Sequence, residues 1–99
     1  MWFAILGTDV PGSLDRRKSA RAEHLARLEA LQAEGRLLLA GPFPAIESED
    51  PGPAGFTGSL IIAEFPTQEH AQRWADVDPY VAAGVYAGVE IKPFRQTLP

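Results

Sequence analysis

Apolar residues dominate the first six positions, and the run stops at Gly7-Thr8-Asp9 followed by Pro11-Gly12. This predicts a strand over residues 1–7 closed by turn formers. From Ser13 or Asp15, either able to cap a helix, the chain reaches Glu34 without a Gly or Pro, and Gly35 supplies the stop signal. Leu37 to Ala40 predicts a short second strand ended by Gly41-Pro42. Pro44 to Gly58, interrupted by Pro51-Gly52-Pro53 and Gly55, reads as a long loop. Ser59 to Phe65 is a third strand, Pro66-Thr67 opens a second helix to about Asp76, Pro79 starts a short helical turn ending at Ala83, and Val85 to Phe94 is a fourth strand.

The order βαββαβ, with right-handed crossovers, predicts an α+β domain of the ferredoxin-like kind: a four-stranded antiparallel sheet, two helices on one face, and strands one and three in the centre. Alternation along those central strands is apolar on both sides. Trp2, Ala4 and Leu6 oppose Phe3 and Ile5, and Leu60 and Ile62 oppose Ile61, Ala63 and Phe65. Two helices shelter only one face, so the other predicts a homodimer that closes sheet against sheet. An ordinary interface of about 800 Å² per partner is enough for that. The competing arrangement folds the 44–58 loop over the open face.

Ninety-nine residues, 45% hydrophobic and 22% charged, suit one folded domain spanning 1–99. The formal charge of -4 argues against a nucleic-acid partner, since the basic run Arg16-Arg17-Lys18 is short and flanked by acids. No cysteine is present, which excludes a disulfide framework, a thiolate nucleophile and a cysteine zinc site. No apolar run approaches the roughly 20 residues that cross a bilayer, and the start Met1-Trp2-Phe3-Ala4 has no charged leader. The expectation is a cytoplasmic protein with no membrane partner.

Candidate chemistry centres on helix one. His24 precedes Leu28 by four positions and Leu31 by seven, so it lies on the inward stripe. A packed, hydrogen-bonded histidine is the bland reading. The functional one needs a partner, and Asp78 of Asp78-Pro79-Tyr80 is the candidate: as the N-cap of the following turn it uses one carboxylate oxygen and leaves the other for His24. Arg21, three residues before His24, shares its side of the helix and suits an anionic ligand. Arg16, Arg17, Lys18 and Arg21 crowd the helix start, where the macrodipole disfavours cations. His70 reads as a surface residue with no second ligand at metal spacing, and the glycines of 51–59 match neither phosphate-binding nor dinucleotide patterns. They read as turns, with Thr57 and Ser59 able to line a cleft. Trp2, Trp74 and Tyr86 are spaced as core or interface aromatics. Glu47, Glu49 and Asp50 form a solvated acidic loop.

Gly35-Arg36-Leu37-Leu38-Leu39-Ala40-Gly41-Pro42, Asp50-Pro51-Gly52, Gly55-Phe56-Thr57-Gly58-Ser59 and Asp78-Pro79-Tyr80-Val81-Ala82-Ala83-Gly84-Val85-Tyr86 resemble, in order, the motifs of the YciI-like (YCII-related) family. The likeness runs from Met1 to Phe94 and takes in Arg21 through Leu25 and Lys92-Pro93-Phe94. The resemblance implies a ferredoxin-like fold that pairs into a dimeric α+β barrel. It also implies a pocket whose active pair is a histidine and an aspartate, here His24 and Asp78. Substrate-binding positions are expected at Gly41, Pro42, Ser59 and Tyr80 beside Arg21. Relatives with chemistry include a dehydrochlorinase of hydroxylated aromatics, and the wider superfamily contains muconolactone isomerases. The expected activity is cofactor-independent acid–base chemistry, elimination or isomerisation, on a small anionic or phenolic ligand. A non-catalytic dimer that binds a metabolite or a partner protein is the alternative, because fold alone does not fix a reaction.

Overall fold

Strand β1 (Trp2–Asp9) pairs antiparallel with β3 (Phe56–Glu64) on one side and β4 (Tyr86–Phe94) on the other in the computed structural model, which describes residues 1–99. Strand β2 (Leu37–Pro44) completes the sheet in the order β2-β3-β1-β4. The first and third strands are thus central, as the burial pattern predicts. Helices α1 (Leu14–Ala33), α2 (Gln68–Asp76) and the short α3 (Pro79–Ala82) supply the remaining elements.

Three boundaries differ from the sequence expectation. Gly7 to Asp9 continue β1 instead of ending it. Gly7 is there for close approach: a Cβ at this position would lie 2.5 Å from the Tyr86 ring. The 44–58 loop is also shorter than expected, because β2 continues to Pro44 and β3 begins at Phe56, with Pro42 opposite Ser59 and Phe43 opposite Gly58. Proline is tolerated in β2 because this strand lies at the sheet edge, where a missing N–H need not interrupt a ladder. What remains of the loop is tied at its base by the Ala45 amide donating to the Gly55 carbonyl at 2.9 Å.

Helix α1 ends as Gly35 predicts. That residue has φ of 71°, and the Arg36 amide donates back to the Leu31 carbonyl, a pattern that glycine permits at low cost. Helix α2 is capped by Thr67, whose hydroxyl accepts from the His70 amide. The helices cover one face of the sheet. Phe3, Ile5, Ile61, Ala63 and Ile91 meet Leu28, Leu31, Ala71 and Ala75 in the main core.

The opposite face carries Ala4, Leu6, Leu60 and Ile62, alternating with the core residues of the same strands. Leu39 and Phe43 of β2 are 47% and 40% exposed. The 44–58 segment does not cover this face: Gly55 abuts Leu14 of α1, and Glu49 reaches the helix-side cavity described below. Its turn residues instead shape the mouth of that cavity.

Candidate active site

The buried stripe of α1 runs Arg17, Ala20, His24, Leu28 and Leu31. Leu28 and Leu31 enter the core and Ala20 packs with Tyr80 and Val85, whereas Arg17, His24 and one side of Leu28 line a cavity of about 500 Å³ bounded by α1, β2, β3 and the turn of α3. His24, Arg21, Gly41, Pro42, Ser59 and Tyr80 all line it, together with Arg17, Lys18, Glu49 and Phe56. Asp78 stands behind this wall. Of Thr57 and Ser59, the two residues expected to line a cleft, only Ser59 reaches this cavity; Thr57 lines a shallow groove with Leu6, Thr8 and Phe43.

Asp78 is placed by local backbone chemistry. Pro79 occupies the first turn of α3, and Asp78 caps it by accepting the Tyr80 amide at 2.9 Å. The same carboxylate meets Nδ1 of His24 at 2.8 Å through Oδ1 and 3.0 Å through Oδ2. His24 and Asp78 are 6% and 3% exposed, so this is a buried pair. An ionised carboxylate only accepts, which assigns the proton to Nδ1 and leaves Nε2 as the free ring nitrogen. Nε2 has no partner within the chain, yet it is not an orphaned buried atom; the only such side-chain atom is Nη1 of Arg27. It is therefore open to the cavity.

The Tyr80 ring stacks on His24 with centroids 3.9 Å apart and planes 6° from parallel, and Tyr86 meets Tyr80 edge-on at 5.6 Å. Burial raises the Tyr80 pKa above its ordinary value, while the nearby Arg17 and Arg21 charges act to lower it. Tyr86 is pushed up to about 12, chiefly by burial. Both phenols keep their protons at neutral pH.

Arg17 is the principal site residue that the sequence reading missed. Instead of joining a solvated basic run, it is 6% exposed and fully engaged on one side. Nε donates to Oδ2 of Asp9 at 2.6 Å, and Nη2 donates to Oδ1 of Asp9 at 3.1 Å, to the Gly58 carbonyl at 2.9 Å and to the Ser59 hydroxyl at 2.7 Å. Burial alone would lower its pKa, but the hydrogen-bonded pair with Asp9 leaves it raised. Its guanidinium lies 5.2 Å from the centroid of Phe56 and 5.0 Å from that of Tyr80. A signal was present: Arg17 precedes His24 by seven positions and so falls on the same helical stripe.

Other residues hold the frame. Arg27 covers the Trp74 ring at 4.2 Å and donates to the Trp74 carbonyl at 2.8 Å, and burial lowers its pKa. Its Nη1 has no partner. His70 is exposed and hydrogen-bonded to Thr67 at the start of α2, away from the cavity. The acidic residues Glu47, Glu49 and Asp50 are exposed, with Glu49 at the cavity rim.

A family model described as the YCII-related domain matches residues 1–95. The chain belongs to the YCII-related domain family. This YCII-related domain is 59% identical to Protein YciI of Escherichia coli O6:H1 over 98 residues, which is 99% of this chain and 100% of that one. It is 54% identical, over 99% of this chain and 100% of the other, to a protein of Haemophilus influenzae. Among solved structures, it is similar to 5-chloro-2-hydroxyhydroquinone dehydrochlorinase from Burkholderia phenoliruptrix AC1100, in complex with 2,5-dihydroxybenzoquinone. That match has a TM-score of 0.83, is 30% identical, and covers 96% of this chain and 94% of the other. The YCII-related domain thus has the protomer fold of the dimeric α+β barrel class. No helix in it is long and apolar enough to cross a membrane.

Proposed function

We propose that this protein is a cofactor-independent enzyme that moves a proton on a small anionic or phenolic molecule, with His24 as the acid–base group and Asp78 fixing its tautomer. One observation carries the reading: a buried histidine whose Nδ1 is held by a carboxylate at 2.8 Å while Nε2 is left free on the side of a ligand-sized cavity. Arg17, Lys18 and Arg21 put positive charge around that cavity, which suits an anion. The named activity and ligand of the dehydrochlorinase, at 30% identity, support a hydroxylated ring as the substrate class.

In this mechanism the Nε2 lone pair takes a proton from the substrate. In an elimination, the electron pair left behind forms the new double bond and the leaving group departs with its own bonding pair. In an isomerisation, His24 returns the proton at another atom. The isomerisation needs a base that reverses its role, and both courses need a partner that holds the imidazolium. Gly41, Pro42, Ser59 and Tyr80 form the walls that orient the ring.

The test starts from a thermal-shift screen of hydroxylated aromatics and small organic acids, followed by turnover assays on the compounds that bind. Replacing His24 by Ala is expected to reduce turnover by about 10² to 10⁴, with binding largely retained and the far-ultraviolet circular dichroism unchanged. A compound turned over equally well by the wild type and His24→Ala sinks the mechanism.

We also read the open sheet face as the seat of a second copy of the chain. Leu39 and Phe43 are exposed there in line with Leu6, Leu60 and Ile62, no helix covers them, and a like face supplies matching apolar surface.

A further inference from the structure

Three residues that line the cavity keep hydrogen-bonding capacity the chain does not use, and the acid–base reading uses only one of them. Beside Nε2 of His24 are Nη1 of Arg17 and the hydroxyl of Tyr80. Arg17 directs Nε and Nη2 into Asp9, Gly58 and Ser59, and Nη1 alone has no acceptor in the chain. The Tyr80 hydroxyl interacts with the Arg17 guanidinium, which can only donate, so its own proton has no acceptor in the chain. Neither atom is occluded, since the single occluded side-chain polar atom without a partner belongs to Arg27. Both residues line the same cavity as His24.

Their fixed placement matters more than their number. Arg17 is held by a bidentate ion pair and two further hydrogen bonds, and Tyr80 is clamped between the His24 stack and the edge of Tyr86. Lys18 and Arg21 also carry positive charge at the cavity, but both are exposed and free to move. Donors that are already aimed and cannot relax stabilise a developing charge better than solvated ones.

We propose that Arg17 and Tyr80 form an oxyanion site that binds a phenolate or enolate oxygen of the ligand, next to the atom at which His24 exchanges its proton. This rests on the acid–base reading for the step itself but not for the binding preference. When Nε2 takes a proton from a carbon beside a carbonyl, the bonding electrons pass to the carbonyl oxygen, and Nη1–H of Arg17 and Oη–H of Tyr80 receive that negative oxygen. When the substrate is a phenol, its ionised oxygen occupies the same place. The pair therefore selects ligands that carry an acidic hydroxyl or an enolisable carbonyl over their ethers.

Equilibrium binding of para-nitrophenol and of its methyl ether, para-nitroanisole, tests this without turnover. The phenol is partly ionised near neutral pH, and its phenolate is yellow, so absorbance reports the bound charge state directly. Wild-type protein is expected to bind the phenolate form preferentially and to increase the yellow absorbance. Tyr80→Phe keeps the ring and its stack but removes one donor, and should weaken phenolate binding by about 10- to 100-fold while leaving the ether unchanged. Arg17→Lys should weaken phenolate binding at least as much, and Tyr80→Phe keeps the test decisive if the arginine variant fails to fold. The ion preference should survive in His24→Gln, which separates this site from the base. Arg21→Ala removes a charge that also favours anions, so it should weaken phenolate binding too, but by less than Tyr80→Phe, which separates the fixed donors from the mobile rim. Absence of phenolate preference in the wild type, its persistence in Tyr80→Phe, or a larger loss in Arg21→Ala than in Tyr80→Phe overturns the proposal. Loss of turnover in His24→Ala bears only on the acid–base reading.

Discussion

The phenol of Tyr80 lies flat against the imidazole of His24, and one carboxylate oxygen, Oδ1 of Asp78, accepts from both residues: from Nδ1 of His24 at 2.8 Å and from the Tyr80 amide at 2.9 Å. Stack, cap and ion partner are thus a single unit, in which moving any one member changes the direction of Nε2.

Asp78→Asn separates the cap from the charge. Asparagine caps helices about as well as aspartate, so stability should fall by no more than about 1 kcal/mol. Its amide can donate to Nδ1 and shift the proton to Nε2, which leaves no basic nitrogen in the cavity. Turnover should drop at least about 100-fold. Nitrogen-15 NMR of the imidazole should report the tautomer change alongside urea denaturation, and unchanged tautomer with full activity would refute the positioning role.

The Asp9–Arg17 pair predicts a different outcome. Both side chains are almost fully buried, so Asp9→Ala strands a guanidinium whose remaining partners are Gly58 and Ser59. Breaking such a pair from one side costs about 3–5 kcal/mol. Asp9→Ala combined with Arg17→Met should cost less than the sum of the two single changes. Denaturant midpoints of the four proteins decide it, and strict additivity would show that the two side chains act independently.

Tyr86 sets a limit at alkaline pH. Burial raises its folded-state pKa from 10.0 to about 12, so the native state retains a proton that the unfolded state releases. The stability this contributes is complete below pH 10 and declines as pH rises from there toward 12, at up to about 1.4 kcal/mol per pH unit. Tyr86→Phe removes the titrating group. The wild type should lose stability more steeply than Tyr86→Phe between pH 10 and 11.5 in urea titrations, and parallel curves would contradict it.

A charged pair of substitutions on the open sheet face, Leu39→Lys with Phe43→Glu, should yield a monomer by sedimentation velocity if two copies meet there. Their side chains point away from the helices, so helicity should be unaffected. A wild-type protein that sediments as a monomer at every accessible concentration removes the basis for the dimer.

Much of this arrangement was legible in the chain. Period-two apolar alternation identified both central strands, Gly35 and Pro79 marked a helix end and a helix start, and helical spacing turned His24 inward. Local signals failed where a long-range contact reassigned a residue. Gly7 looks like a strand terminator until the Tyr86 ring is seen above it, and Pro42 and Pro44 look like breakers until they fall on an edge strand. Arg17 was lost for the same reason. A cation in a basic run reads as solvated, and nothing adjacent reveals that Asp9, at the far end of β1, will neutralise it.

Along β3 the side chains alternate sides, so that Ser59 and Ile61 border the cavity while Leu60 and Ile62 form the opposite surface. Inserting or deleting one residue between Gly58 and Phe65 would exchange those two sets, turning Leu60 and Ile62 toward the helices and sending Ser59 and Ile61 to the opposite surface. This segment behaves like a reading frame, and a shift in it would cost the molecule both the cavity wall and the apolar outer face at once.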